Sequence, residues 1–295
     1  MPASLPRLFI DWLELTIPIP DERAADVQHG LDDFENWGTT LNARPPRGRY
    51  RNRYVIELPN PDGMQPRKRN EINVQSEGTA RRGNFLKLTY SPNNAGDVGR
   101  ELLTMILREV IGRDFRELFY AGNVNRADFS FDAYRVPLRD LWVRDRRGGN
   151  RKSAIVRGHN QQVETIYLGY GKNVRQLIVY DKGVQRGRPR GSTSWLRFEY
   201  RYNKGDYTLG DLYSHLGNPF DGFSVHKYRP LDAPHTPEQS RSIFDALRLR
   251  GRGDQSDCDL SRYVEEFRPW YIWLRVGTIW TQLRRRIDEL ILEEE

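Results

Sequence analysis

One cysteine, Cys258, is all that 295 residues contain. That excludes an internal disulfide framework and a cysteine zinc cluster, and it makes a reducing cytoplasm the expected setting. Histidine is sparse as well. His29, His159, His215, His226 and His235 are scattered, and no two are separated by a single residue, so a histidine-pair metal site is excluded. No run approaches the roughly 18 apolar residues of a membrane span, and no charged-then-apolar leader opens the chain, so no membrane partner is expected. There is no Gly-rich phosphate loop, no Gly-x-Ser-x-Gly elbow and no Cys/His arrangement for nucleophilic catalysis.

Lysine is the next shortage. Of 47 basic residues only 7 are lysine, and 40 are arginine. The net charge is +7, unevenly spread: residues 126–204 hold 14 Arg and 4 Lys against 5 Asp and 2 Glu, a net of +11, leaving the remainder near −4. The guanidinium fork binds phosphate at two points and stacks on bases, so the cluster points to nucleic acid. A genome rich in Arg codons would explain arginine over lysine but not the clustering. With 37% hydrophobic and 29% charged residues, the chain has room for one large or two modest globular domains.

Periodicity outlines the elements. Residues 7–18 read as a strand stopped by Pro18 and Pro20, and 21–36 as a helix with Asp21 as cap. Arg44 to Tyr54 interleaves cations with rings, suiting either an arm on a phosphate backbone or a solvated loop. Strands are expected near 53–58, 70–76 and 84–90, and an amphipathic helix over 97–112, ended by Gly112. Strand 124–134, a short helix at 137–145 and a basic turn from Arg144 to Lys152 follow. Strands near 163–169, 174–181 and 194–202 form an antiparallel run. Helices are expected at 207–216, 236–250, 259–267 and 269–293, the last carrying Trp270, Trp273, Trp280, Leu283 and Ile287 as core. Asp11-Trp12 echoes Asp128-Phe129, and 85–90 echoes 165–170, as if two similar halves made one sheet with pseudo-twofold symmetry.

Three strands carry polar residues on one face. In 126–132, Asp128, Ser130 and Asp132 alternate with Ala127, Phe129 and Phe131; in 195–201, Arg197, Glu199 and Arg201 alternate with Leu196, Phe198 and Tyr200. The third is Leu177 to Lys182. Carboxylates gathered on one face repel unless a cation or arginines lie between them. Asp128 and Glu199 are suited to Mg2+ or Mn2+, which prefer hard oxygen ligands, with Asp181 as a third. Tyr180 is next to Asp181, and a phenol attacking a phosphodiester must lose a proton it holds with a pKa near 10, a barrier that a neighbouring cation lowers. Lys182 is placed to contact the phosphate. Strict alternation puts Tyr180 and Asp181 on opposite faces unless the strand ends there. The plainer reading stays open: cross-strand salt bridges on a solvated face, and Tyr180 as one strand aromatic among fifteen tyrosines.

These segments resemble the Rep_trans family of rolling-circle initiators and relaxases. Residues 124–134 look like its Arg-x-Asp-(3)-Asp strand, 165–182 like its Thr-x-Tyr-x-Gly…Arg-x-Tyr-Asp-Lys block, 195–201 like its Trp-x-Arg-Phe-Glu strand, and Ile10-Asp11-Trp12-Leu13 like its opening. The likeness covers about 7–204, in the family's order and spacing. It implies an α+β fold: a strongly curved, largely antiparallel sheet from two pseudo-repeated halves, backed by helices, with a helical C-terminal part. The expected divisions are 1–122 (N-terminal half), 123–206 (catalytic half) and 207–295 (helical region).

The resemblance implies a strand-transferring, nicking enzyme of rolling-circle replication. Tyr180 would be the nucleophile, assisted by Lys182, with Asp128, Asp181 and Glu199 around Mg2+ or Mn2+, leaving a 5′-phosphotyrosine. Arg126, Arg175, Arg186, Arg188, Arg190 and Arg197 would hold a single-stranded or cruciform origin, and a host helicase and a second copy of the chain are the other expected partners. Two rivals remain at this level: a non-catalytic DNA-binding protein, and a metal-dependent nuclease with water as nucleophile.

Overall fold

The computed structural model describes residues 7–36, 41–45, 50–61, 69–78, 84–134, 137–138, 141–145, 153–157, 163–169, 175–187, 195–203, 207–215, 217–228, 264–266 and 278–292. The first part of the chain forms β1 (Leu8–Ile19), a 3-10 turn, α1 (Ala24–Asn36), β2 (Leu41–Ala43), β3 (Tyr50–Leu58), β4 (Asn70–Gly78), β5 (Asn84–Tyr90), α2 (Pro92–Ile111) and α3 (Phe115–Tyr120). Next come β6 (Asn123–Tyr134), β7 (Leu141–Asp145), β8 (Ser153–Arg157), β9 (Val163–Leu168), β10 (Arg175–Asp181), α4 (Lys182–Gln185) and β11 (Trp195–Asn203). The chain continues through α5 (Leu209–His215), β12 (Phe223–Tyr228), β13 (Val264–Glu266) and α6 (Thr278–Asp288).

Ten strands form one open sheet in the order β2–β3–β4–β5–β1–β6–β11–β10–β9–β8, and a small sheet runs β13–β12–β7. The strand pairs with defined register are antiparallel. Counted outward from β1 and β6, the order is first strand, then last, then descending: β1, β5, β4, β3, β2 on one side and β6, β11, β10, β9, β8 on the other. The internal echo in the sequence is therefore a repeat of strand order. The fold is α+β, as expected.

The chain divides into two compact units. The first comprises Arg7–Phe131, Glu199–Gly217 and Trp280–Glu295; the second comprises Met1–Pro6, Asp132–Phe198 and Asn218–Ile279.

In the first unit, β1 alternates: Leu13, Leu15 and Ile17 are buried, while Trp12, Glu14 and Thr16 are half-exposed on the other face. A register shift between Ile10 and Trp12 rephases the strand, so that Leu8 and Ile10 join the buried face of Leu13, Leu15 and Ile17. Leu103, Ile106, Leu107 and Val110 form the buried stripe of α2, which packs on β1 and β4. Ser91 caps that helix by accepting from the Asn94 N–H, and Gly112 stops it at φ 85°. Gly96, at φ 60°, interrupts its first turns, so the regular helix begins at about the expected position. Helix α6 ties the C-terminal end to the start of the chain. Its Leu283 and Ile287 are fully buried, Arg286 Nε donates to the Leu8 carbonyl at 2.9 Å, and Thr104 Oγ1 accepts from the Leu292 N–H at 3.0 Å. That helix supports the sheet.

Three expectations need correction. Residues 141–145 form a strand, not part of a short helix, with Leu141 and Val143 buried and paired to β12. Five residues are too few for the two periods to separate. Residues 264–266, expected as helix, pair with β12 instead. Segment 207–295, expected to be helical, also contains β12, where Phe223 and Val225 alternate with Ser224 and His226 in a period-2 pattern. The helix expected at 236–250 and the residues Trp270 and Trp273 lie outside the described residues.

Candidate functional site

In the first unit the polar face of β6 and β11 is buried. Asp128 is 2% exposed and Glu199 5%. A buried carboxylate survives only with charged hydrogen-bond partners. Asp128 has two. Arg126, two residues earlier on the same face, donates from Nε at 2.9 Å and also from Nη2, and Arg201 donates from Nε at 3.2 Å. Arg201 also reaches Glu199 Oε1 with Nη2 at 2.6 Å. The plainer sequence reading was half right: these are salt bridges, but not on a solvated face.

The bridges do not neutralise the cluster. Burial, then the Asp128 charge, pushes the Glu199 carboxyl up to about 7, Asp11 adds to the repulsion, and Arg201 opposes it. Asp11, Asp128 and Glu199 face two guanidiniums, so the cluster has use for another positive charge or a proton. On the same strand face as Asp128, the Ser130 hydroxyl is fully buried with no hydrogen-bond partner. A buried, unsatisfied hydroxyl two residues along the strand from Asp128 fits an ordered water or a cation. Among the described residues, no group of three or more His, Cys, Asp or Glu lies close enough to enclose a metal. Within this cluster Asp128 already has both oxygens engaged by arginine.

The cluster continues along the half-exposed face. The Arg126 guanidinium lies 5.7 Å from the Trp12 ring centroid, Trp12 Nε1 donates to Glu14 at 3.2 Å, and Lys87 pairs with Glu14 at 3.2 Å. Arg201 was not singled out from the sequence as a site residue. Its alternation with Arg197 and Glu199 was the signal available.

The second unit holds the tyrosine. Tyr180 is half-buried near the end of β10, in register with Thr165 of β9. The strand ends at Asp181. That residue caps α4, its Oδ1 accepting from the Val184 N–H at 3.0 Å. Lys182 is 9% exposed; its Nζ lies 5.6 Å from the Tyr180 ring centroid and donates to Gln185 Oε1 at 2.7 Å. Gly169, the glycine of the Thr-x-Tyr-x-Gly block, has φ 81°, and a Cβ there would sit 2.7 Å from the Arg175 carbonyl oxygen. The backbone therefore requires glycine just after β9.

Of the expected DNA-binding arginines, Arg175 is exposed at the start of β10 and Arg186 follows α4 with its guanidinium 5.9 Å from the Trp195 ring centroid. Arg197 is buried, gripping Asp132 with Nε at 2.7 Å and Nη2 at 2.9 Å. Arg126 is committed to Asp128. Arg188 and Arg190 lie outside the described residues.

No family model matches the chain, and no curated protein matches it. Among solved structures it is similar to the rolling circle replication initiator protein from Geobacillus stearothermophilus. That likeness has a TM-score of 0.47 and 14% identity, and covers 94% of this chain and 97% of that one. No helix among the described residues is long and apolar enough to cross a membrane.

Proposed function

We propose that the protein is a rolling-circle replication initiator that nicks one strand of DNA. One observation carries the reading: two of the three polar motifs, 126–132 and 195–201, become neighbouring strands whose carboxylates are buried and mutually repelling. Ordinary surface salt bridges would be exposed and would contribute little. An arrangement that keeps two acids short of positive charge belongs to chemistry on a cation or a phosphate.

In this reading the Tyr180 oxygen attacks the scissile phosphorus. A bond forms between that oxygen and phosphorus, the bond to the 3′ oxygen breaks, and the phenol's proton ends on the departing 3′ hydroxyl. The products are a 5′-phosphotyrosine and a free 3′ end. The Lys182 ammonium, 5.6 Å from the Tyr180 ring centroid, would attract the phosphate. Asp181 ends the strand and orients the turn that carries Lys182. Asp128 and Glu199 would hold Mg2+ or Mn2+, which when bound offsets charge developing on the phosphate oxygens. Arg126 and Arg201 keep both carboxylates aligned, and Arg197 fixes β11 through Asp132.

The test is incubation with a labelled single-stranded origin oligonucleotide and Mn2+, followed by denaturation. Wild type should carry a covalent label and Tyr180→Phe none. A labelled Tyr180→Phe adduct would overturn the assignment. Cleavage without any adduct would favour water as nucleophile, and binding without cleavage would leave a DNA-binding protein.

A further inference from the structure

The second unit has an aromatic stack that the chemistry above does not use. Tyr134, the last residue of β6, has 57% of its surface exposed. Its ring lies 6.0 Å from that of Trp195, the first residue of β11, at an interplanar angle of 27°. The Arg186 guanidinium stands 5.9 Å from the Trp195 ring. Two near-parallel rings and a planar cation thus gather where β6 ends and β11 begins, and Arg186 is six residues beyond Tyr180.

The segment that supplies Arg186 is mostly basic. Segment 175–187 carries Arg175, Lys182 and Arg186 against Asp181 alone, and Asp181 is engaged at the α4 cap. Flat π-faces beside a guanidinium match a chain that alternates flat rings with phosphates. A duplex hides its base faces; a single strand offers them. Arginine and aromatic stacking on bases is tolerant of sequence because every base has a π-face.

We propose that Tyr134, Trp195 and Arg186 form a base-stacking site for single-stranded DNA flanking the scissile phosphate. The inference rests on the nicking function proposed above and extends it: the stack holds an unpaired nucleotide while Arg186 pairs with a phosphate. Tyr134 and Trp195 are positioning residues, since they touch no reacting atom.

The experiment uses the full chain with an oligo-dT of about 20 nucleotides carrying one 2-aminopurine, with chelator present so that binding proceeds without cleavage. Wild type should quench the 2-aminopurine on binding and should bind a duplex of the same length more weakly. Tyr134→Ser should lose most of the quenching and bind the single strand about tenfold more weakly, while Tyr134→Phe retains both. Arg186→Gln should weaken binding and lower the salt slope by about 1. Unchanged affinity and quenching in Tyr134→Ser would overturn the proposal. So would tighter binding of the duplex, or an acidic peptide displacing the oligonucleotide without sensitivity to Tyr134. Adduct formation with Mn2+, measured separately, distinguishes the two readings. Adducts with a Tyr134-insensitive quench sink the stacking site alone, and a Tyr134-dependent quench without adducts sinks the nicking function alone.

Discussion

Glu199→Gln and Asp128→Asn remove neighbouring charges from one buried cluster, yet they should act in opposite directions. Asp128 is the acceptor for both Arg126 and Arg201. Replacing it with Asn takes the carboxylate from Arg126 and leaves Arg201 with Glu199 alone, and breaking a buried pair in this way costs about 3–5 kcal/mol. Glu199 is the acid under strain. Its carboxyl titrates at about 7 in place of 4.5, which makes its charged form about 3 kcal/mol less favourable in the folded protein than in the unfolded chain. Because the folded pKa is the higher one, the folded state holds the proton more tightly. The stabilising contribution is complete below about pH 4.5 and is lost as pH rises through about 7.

Glutamine mimics the protonated acid. In chelator at pH 8, Glu199→Gln should therefore be more stable than wild type by up to about 3 kcal/mol, roughly 5 °C in Tm, and should lack the wild-type decline between pH 5 and 8. Thermal unfolding followed by calorimetry across that range is the assay. If Glu199→Gln and Asp128→Asn were equally destabilising at pH 8, the repelling pair would not exist, and the argument for a cation-hungry site would go with it.

Addition of Mn2+ at pH 8 should raise the Tm of wild type and leave that of Glu199→Gln nearly unchanged; equal shifts would remove Glu199 from the donor set. Gly169→Ala puts a Cβ 2.7 Å from the Arg175 carbonyl at φ 81°, and should cost about 1–3 kcal/mol in chemical denaturation. Arg197→Gln strands Asp132 without its two-point partner and should cost about 3–5 kcal/mol. A loss under 1 kcal/mol would show that the pair is not structurally important.

Much of the architecture was readable before any coordinates. Long strands with alternating residues, such as 84–90 and 195–203, and a helix with a cap and a glycine stop, such as α2, carry their periods over enough residues to be unambiguous. The failures are short or sit beside stronger signals. β7 spans five residues and β13 three, and which elements they become was settled by pairing with β12 rather than by local preference. Asp181 was legible as an acid but not as a cap, because a cap depends on where the strand stops. Arg197 was legible as a cation but not as a buried one, because its partner Asp132 is 65 positions away.

The alternation of charged and apolar residues along two separate strands was determined by sequence alone, since side chains on a pleated strand must point to opposite sides in turn. So was the clustering of positive charge in about a quarter of the chain. Whether the carboxylates met each other, met arginines or faced water was decided only when β6 and β11 became neighbours. Water solvates and screens a charge on the surface; its removal first penalises the Glu199 charge itself and then strengthens the repulsion from Asp128, and the two together hold a proton near neutral pH.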